Sequence, residues 1–336
     1  MYRVSCIIFC LCIVACLTTL IWPKWGLTPQ SALAVGILLA LTLHNPFTKM
    51  TRPASKWLLQ ASVVLVGFRM DIRSVLVAGR EGMIFAVLTI GTAFLLGWLV
   101  AKWLKIDRTV STLISAGTAI CGGSAVAAVG CVIGAAEGEM SVAMGTVFLL
   151  NAVALYAFPV IGRAMHMNPH QFGTWAGIAI HDVSSVTGAA TAYSASGALL
   201  VATTVKLARA LWIVPVALVV GIVYHRRPTA VSNSDFGFEP SCVKANAKPR
   251  LQLPWFIGLF LLASVPRSYI PAISHMAGPI QTVATVGFTL TLFLIGAGLS
   301  RKTLKAVGVR PLLQGVILWL FLASVSAVAV KYWAAN

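Results

Sequence analysis

Long runs of apolar positions, broken by charge, proline or glycine, recur along the whole chain. They cover Val4–Trp22, Pro29–Leu43, Ala54–Phe68, Met83–Leu104, Ser111–Gly134, Glu139–Ile161, Phe172–Ala192, Ser196–Tyr224, Pro254–Ile273, Met276–Leu299 and Pro311–Val330. A helix needs about 20 mostly apolar residues to cross a hydrocarbon core of ~30 Å. The pattern therefore predicts an all-α polytopic membrane protein with about 9–11 transmembrane helices. The range is set by two glycine-rich runs, 111–134 and 172–192, which either cross the bilayer or re-enter it. One transmembrane domain, 1–336, is expected, with the polar, proline-bearing stretch 226–250 as a cytoplasmic loop inside it. Arg3 and the run after it could form a signal peptide. No small-x-small cleavage site follows, so a retained first helix is expected.

Composition strengthens this picture. Hydrophobic residues make up 59% of the 336 and charged residues 10%, against roughly 25% charged in soluble domains. Net charge is +17, but the basic residues sit mainly between apolar runs, where they anchor loops at the headgroups, so no nucleic acid partner is expected. More of them fall in alternate loops if the N-terminus is cytoplasmic and the C-terminus periplasmic, with the Arg69–Arg80 stretch, read as an outside loop, as the exception. The seven cysteines show no zinc-ligand spacing and suggest no disulfide framework, so neither a metal site nor a cofactor is expected.

The two glycine-rich runs resemble each other. Gly117-Thr118-Ala119-Ile120-Cys121-Gly122-Gly123-Ser124-Ala125-Val126 aligns with Gly177-Ile178-Ala179-Ile180-His181-Asp182-Val183-Ser184-Ser185-Val186. Each is followed by a plainer apolar run with a late proline, Pro159 and Pro215. Interrupted apolar segments in corresponding halves point to a transporter binding site, because irregular backbone at membrane depth persists only against protein or a water-filled cavity. Re-entry would make the two copies inverted, and full crossing would make them parallel. The bland alternative is that small residues simply permit close helix packing.

Candidate chemistry gathers at these runs. Asp182 is the one acid inside an apolar segment, beside His181. Such a residue is a functional candidate, as a proton carrier with His181 or as the cap of a half-helix starting at Val183. In Cys121-Gly122-Gly123-Ser124 the glycines let backbone amides approach a ligand, and Ser124 can cap the next half-helix. Half-helix N-termini suit an oxyanion. Lys206 and Arg209 share a helix face and would offset substrate charge or pair with Asp182. Asn151, Ser184 and Ser185 are further polar candidates for the binding site. Arg69 and Asp71 read as a surface ion pair.

These residues carry a resemblance. The segments around Cys121-Gly122-Gly123-Ser124-Ala125, Gly67-Phe68-Arg69, Ile180-His181-Asp182 and Val205-Lys206-Leu207-Ala208-Arg209 resemble the YeiH-like family of proposed sulfate exporters. The likeness spans nearly the whole chain. It implies a bacterial inner-membrane protein of about ten or eleven helices, related to the cation/proton antiporter and bile-acid transporter group, with inverted repeats and interrupted helices. Members often carry Glu where this chain has Asp182. The expected function is secondary transport of a small anion, sulfate or an organosulfonate, as proton-coupled export and not as an enzyme. The expected partners are that anion and the lipid bilayer, with a homodimer as an option. The alternatives are a cation/proton antiporter, or a membrane-embedded enzyme using Cys121 or His181.

Overall fold

The computed structural model describes residues 2–18, 27–42, 47–194, 197–224, 255–269, 277–298 and 307–333. These residues are almost wholly helical, with no strand among them, and the expected all-α polytopic fold is what they form. In chain order the helices are α1 (Tyr2–Thr18), α2 (Pro29–Thr42), α3 (Thr48–Gly67), α4 (Ile72–Leu104), α5 (Arg108–Ala119), α6 (Gly123–Ile133), α7 (Glu137–Ala164), α8 (Pro169–Ala179), α9 (Val183–Tyr193), α10 (Ala198–Ala210), α11 (Ile213–Tyr224), α12 (Trp255–Tyr269), α13 (Ala277–Gly298) and α14 (Val309–Trp333). Among the described residues, five stretches are long and apolar enough to cross a membrane: Ala86–Leu104, Gly138–Ala164, Ala198–Tyr224, Gly278–Gly298 and Val309–Tyr332. The loop expected over 226–250 lies outside the described residues.

Acidic side chains are spent on helix starts. Asp71 accepts from the Arg73 N–H at 2.6 Å to open α4, and Asp107 accepts from Thr109 at 2.7 Å to open α5. At the head of α7 the Ala136 N–H donates to Glu139 at 2.7 Å. Asn168 and Gln171 exchange bonds around Pro169 to start α8. Each satisfies an N–H group that the helix itself leaves unpaired.

Two expectations change. The Arg69–Arg80 stretch is helical from Ile72 onward, so α4 has 33 residues, about 50 Å. That exceeds the hydrocarbon core, and the exposed Arg73 and Arg80 ride on its first turns. The run Ser196–Tyr224 is not one plain helix either. It breaks at Leu211–Trp212 into α10 and α11, because Pro215 has no N–H to return to the Leu211 carbonyl.

The glycine-rich runs re-enter. A methyl group placed on Gly117 would meet Val126 at 2.9 Å, and one on Gly130 would lie 3.6 Å from Leu113. Residues on α5 and α6 thus touch across a turn, so the two helices lie antiparallel as a hairpin with its tip at Ile120-Cys121-Gly122. In the second run, Phe172 on α8 stacks on Tyr193 on α9, with centroids 3.9 Å apart, and the Tyr193 hydroxyl donates to the Met167 carbonyl. This is a second hairpin, with its tip at Ile180-His181-Asp182. At 12 and 11 residues, each inbound arm is about 17 Å long, roughly half the core.

The hairpins enter from opposite faces. Helix α7 starts at the base of the first, where Met140 meets Gly130, and ends at the base of the second, where Gly162 faces Phe172 and Tyr193. Its 28 residues span about 42 Å. Helices α10 and α11 make the return. Gly173 abuts Ala198 and Val201 at one end, and the Tyr224 hydroxyl bonds Thr112 at 2.8 Å at the other. Each unit is therefore a hairpin plus one crossing, and the two are inverted.

Helix α14 braces both hairpins. Gln314 donates to Ser111 of α5 at 2.7 Å, and Trp175 of α8 donates to the Ala323 carbonyl at 2.9 Å. Helices α1, α2, α3, α12 and α13 form a neighbouring layer. There α2 and α13 cross so closely at Gly36 and Gly296 that a side chain on either would strike backbone.

Candidate functional site

The two tips meet. A Cβ on Gly122 would lie 3.5 Å from the His181 carbonyl oxygen and 3.6 Å from the Asp182 Cβ. Gly122 sits at φ 68° and ψ −130°, a region that only glycine enters cheaply. The second tip turns without a positive φ: Ile180 and Asp182 are extended, and Asp182 caps α9. Its carboxylate accepts from the Ser184 N–H at 3.2 Å and from the Ser184 hydroxyl. The half-helix cap expected of Asp182 is thus present.

Ser124 does not cap α6. The N-cap is Gly122, without a side-chain bond. The Ser124 hydroxyl instead lies 3.0 Å from the Cys121 sulfur and donates to the Cys121 carbonyl at 3.2 Å. The reason is the turn: it swings Ser124 back over Cys121, where its own residue i−3 carbonyl is the nearest acceptor. Ser124 is exposed and Asp182 partly so, whereas Cys121, Gly122, Gly123, His181, Ser184 and Ser185 are buried.

Helices α5 and α8 end at the tips with unpaired carbonyls and the negative end of their dipoles. Two cations from α10 meet them. Lys206 donates to the Ile180 carbonyl at 2.5 Å, and Arg209 donates to Ile178 at 2.5 Å with Nη1 and to Ala119 with Nη2. One guanidinium therefore ties the first hairpin to the second. From α7, Asn151 reaches across in the other direction. Its side-chain oxygen accepts from the N–H groups of His181 at 3.1 Å and Asp182 at 3.3 Å. Lys206 and Arg209 are both 0% exposed. They do not form the ion pair with Asp182 that the sequence allowed. Carbonyls, within reach on the same side, take their donors.

Several polar atoms here are buried with no partner among the described residues. They are both ring nitrogens of His181, the Asn151 amide nitrogen, the Arg209 Nε and the Thr118 hydroxyl. Thr118 was not singled out from the sequence, though its place in the repeat, one residue after Gly117, marks it. Together the tips hold two buried cations, one acid and a set of donors with nothing to bond. Among the described residues no group of three or more His, Cys, Asp or Glu side chains could hold a metal ion. Cys131, on the last turn of α6, is disulfide-bonded, against the expectation of no disulfides.

Arg69 and Asp71 do not pair on the surface. Asp71 is taken up as the α4 cap, and Arg69 turns inward, with Nε and Nη1 buried and without a partner among the described residues. Burial pushes the Arg69 guanidinium below its ordinary range, and the neighbouring Arg267 lowers it further.

These features define a polytopic helical membrane protein built on an inverted pair of re-entrant hairpins. The chain belongs to the family described as Conserved hypothetical protein 698, which matches residues 5–315. It is 46% identical over 314 residues to a UPF0324 membrane protein of Bacteroides thetaiotaomicron, covering 93% of this chain and 88% of that one. A UPF0324 membrane protein of Porphyromonas gingivalis is 46% identical over 303 residues, covering 88% and 85% of the two chains. One of Geobacter sulfurreducens is 41% identical over 312 residues, covering 93% of each. No solved structure matches.

Proposed function

We propose that this protein is a secondary transporter of a small oxyanion, sulfate or a sulfonate, and that the anion binds where the hairpin tips meet. One observation carries the reading. Among the described residues, Lys206 and Arg209 are fully buried with Asp182 as the single nearby acid, and donors on His181, Asn151 and Arg209 have no partner. Surplus buried positive charge is costly unless an anion offsets it. Unpartnered donors around it supply the bonds that an oxyanion accepts. The same surplus disfavours a cation site, and so favours anion transport over cation/proton exchange.

In this reading the inverted hairpins expose the tips first to one side and then to the other. The body of α4 to α11 with α14 moves against the layer of α1, α2, α3, α12 and α13. Exposed Ser124 and half-exposed Asp182 mark the mouth of the site. His181, whose ring nitrogens have no partner among the described residues, passes a proton to Asp182, and this couples export to proton movement. The protein acts in the bacterial inner membrane, with its N-terminus cytoplasmic and its C-terminus periplasmic, and performs no covalent chemistry on its substrate.

The test is flux of labelled sulfate and of a labelled alkylsulfonate in proteoliposomes, with and without a proton gradient. Saturable flux is expected, lost in Lys206→Ala and uncoupled from the gradient in Asp182→Asn. Saturable flux unchanged in both variants would overturn the assignment.

A further inference from the structure

A second site lies away from the tips, along the outer face of α4. A cavity of 760 Å³ runs between α4, α5 and α11. Its α4 wall is Ile90, Phe94, Trp98 and Ala101, and it ends in Lys102 and Lys105. From Val87 to Lys105 that wall is about 27 Å long, longer than one leaflet's ~15 Å share of the hydrocarbon. Val219 and Val223 of α11 line the opposite side and are exposed at 59% and 60%. The groove is therefore apolar along its length and open on the side that faces lipid.

One end is different. Among the described residues, Lys102, Lys105 and Arg108 all line it, and no acid does. Asp107, the acid of the same turn, is turned away onto the N–H groups of Thr109 and Val110. The cations stand beside aromatic rings. Lys102 lies 5.7 Å from the Trp98 ring centre, and Arg108 lies 4.8 Å from that of Tyr224. Trp and Tyr beside basic residues are the arrangement of a headgroup level. The basic cluster also sits at the base of the first hairpin, where α4 hands over to α5.

We propose that this groove is a binding site for an anionic phospholipid. Its phosphate sits among Lys102, Lys105 and Arg108, and one acyl chain lies along α4 toward Trp212. Charge complementarity selects the anionic headgroup, and the apolar length selects a lipid over a free phosphate. The far end of the groove reaches Trp212, whose backbone N–H donates to the Arg209 carbonyl at the break between α10 and α11. The lipid thus touches the first hairpin, through Ser111 and Ser115, and Trp212 in the break that follows the helix carrying Lys206 and Arg209.

The experiment is native mass spectrometry of the full-length protein released from nanodiscs of phosphatidylcholine mixed with phosphatidylglycerol. Retention of phosphatidylglycerol over phosphatidylcholine is expected, falling about fivefold for each of Lys102→Gln, Lys105→Gln and Arg108→Gln. Gly91→Phe tests the tail. A Cβ at Gly91 meets nothing within 4 Å, so the ring fills the groove without disturbing the fold, and retention is expected to fall with the cations intact. Added glycerol phosphate is expected not to compete. Equal retention of both lipids, unchanged retention in Gly91→Phe, or displacement by glycerol phosphate would each overturn the proposal. None of these readouts depends on anion flux.

Discussion

Phe172 and Tyr193 lie with ring centroids 3.9 Å apart and planes 5° from parallel. They flank the second glycine-rich segment in sequence, one near the start of α8 and one at the end of α9. A segment that crossed the bilayer would place them at opposite faces. Their stacking requires re-entry, and Leu113 against Gly130 makes the same statement for the first segment.

This gives a topological prediction. In a cysteine-free background, Arg108→Cys and Ala136→Cys stand at the two ends of the first hairpin and are exposed, as is His170→Cys at the start of the second. A membrane-impermeant maleimide is expected to label the first two from one side of sealed vesicles and the third from the other. Labelling of Arg108→Cys and Ala136→Cys from opposite sides would mean that α5 and α6 cross.

The tips themselves were legible in the sequence. Gly122, Gly123, His181 and Asp182 interrupt otherwise apolar runs, and the Gly117 and Gly177 alignment pairs the interruptions. Re-entry was not legible. A run such as 111–134 has the length and hydropathy of a full span, and only contacts between its two ends reveal the fold-back. The roles of Lys206 and Arg209 were half legible. Two cations inside an apolar helix announce a special site, but their acceptors at Ala119, Ile178 and Ile180 are backbone carbonyls, which carry no residue signature. The helical start of α4 was hidden by Arg73 and Arg80. Their charges look like a loop until Asp71 is recognised as a cap.

Arg209 joins the hairpins through two nitrogens of one planar group, on Ala119 and Ile178. Lysine carries the same charge but gathers its donors on one compact ammonium, without the planar fork that presents Nη1 and Nη2 to carbonyls on two helices. Arg209→Lys is expected to destabilise the protein by about 1.5–3 kcal/mol, the value of one charge-assisted bond. Arg209→Leu removes both bonds and leaves the Ala119 and Ile178 carbonyls unpaired, so it should cost more. Thermal unfolding in detergent reads the order: wild type, then Arg209→Lys, then Arg209→Leu. Equal stability of wild type and Arg209→Lys would show that the bridge is not carried by the fork.

Asn151 satisfies two successive backbone N–H groups with one oxygen. Asn151→Leu leaves the buried His181 donor unpaired, at about 1–3 kcal/mol, and the part-buried Asp182 donor with it, and should lower the midpoint of unfolding. Asn151→Asp keeps an acceptor at the same place and is expected to retain most of the stability. If the leucine variant is as stable as the wild type, water at the tip must replace the side chain, and Asn151 is dispensable to the fold.

Gly122 faces two obstacles to substitution, and they can be separated. Its φ of 68° with ψ of −130° is a backbone conformation that a Cβ strains, at about 1–3 kcal/mol. The added methyl would also approach Val147 at 3.2 Å. Gly122→Ala should therefore destabilise the fold. Val147→Ala makes room but does not change the backbone, and it removes packing from a fully buried position. If strain dominates, the double variant is less stable than either single one, by close to the sum of the two losses. If crowding dominates, Val147→Ala restores stability to Gly122→Ala. The first outcome is expected, because φ at Gly122 is what turns α5 back into α6. Relieving it would mean unmaking the tip that His181 and Asp182 face.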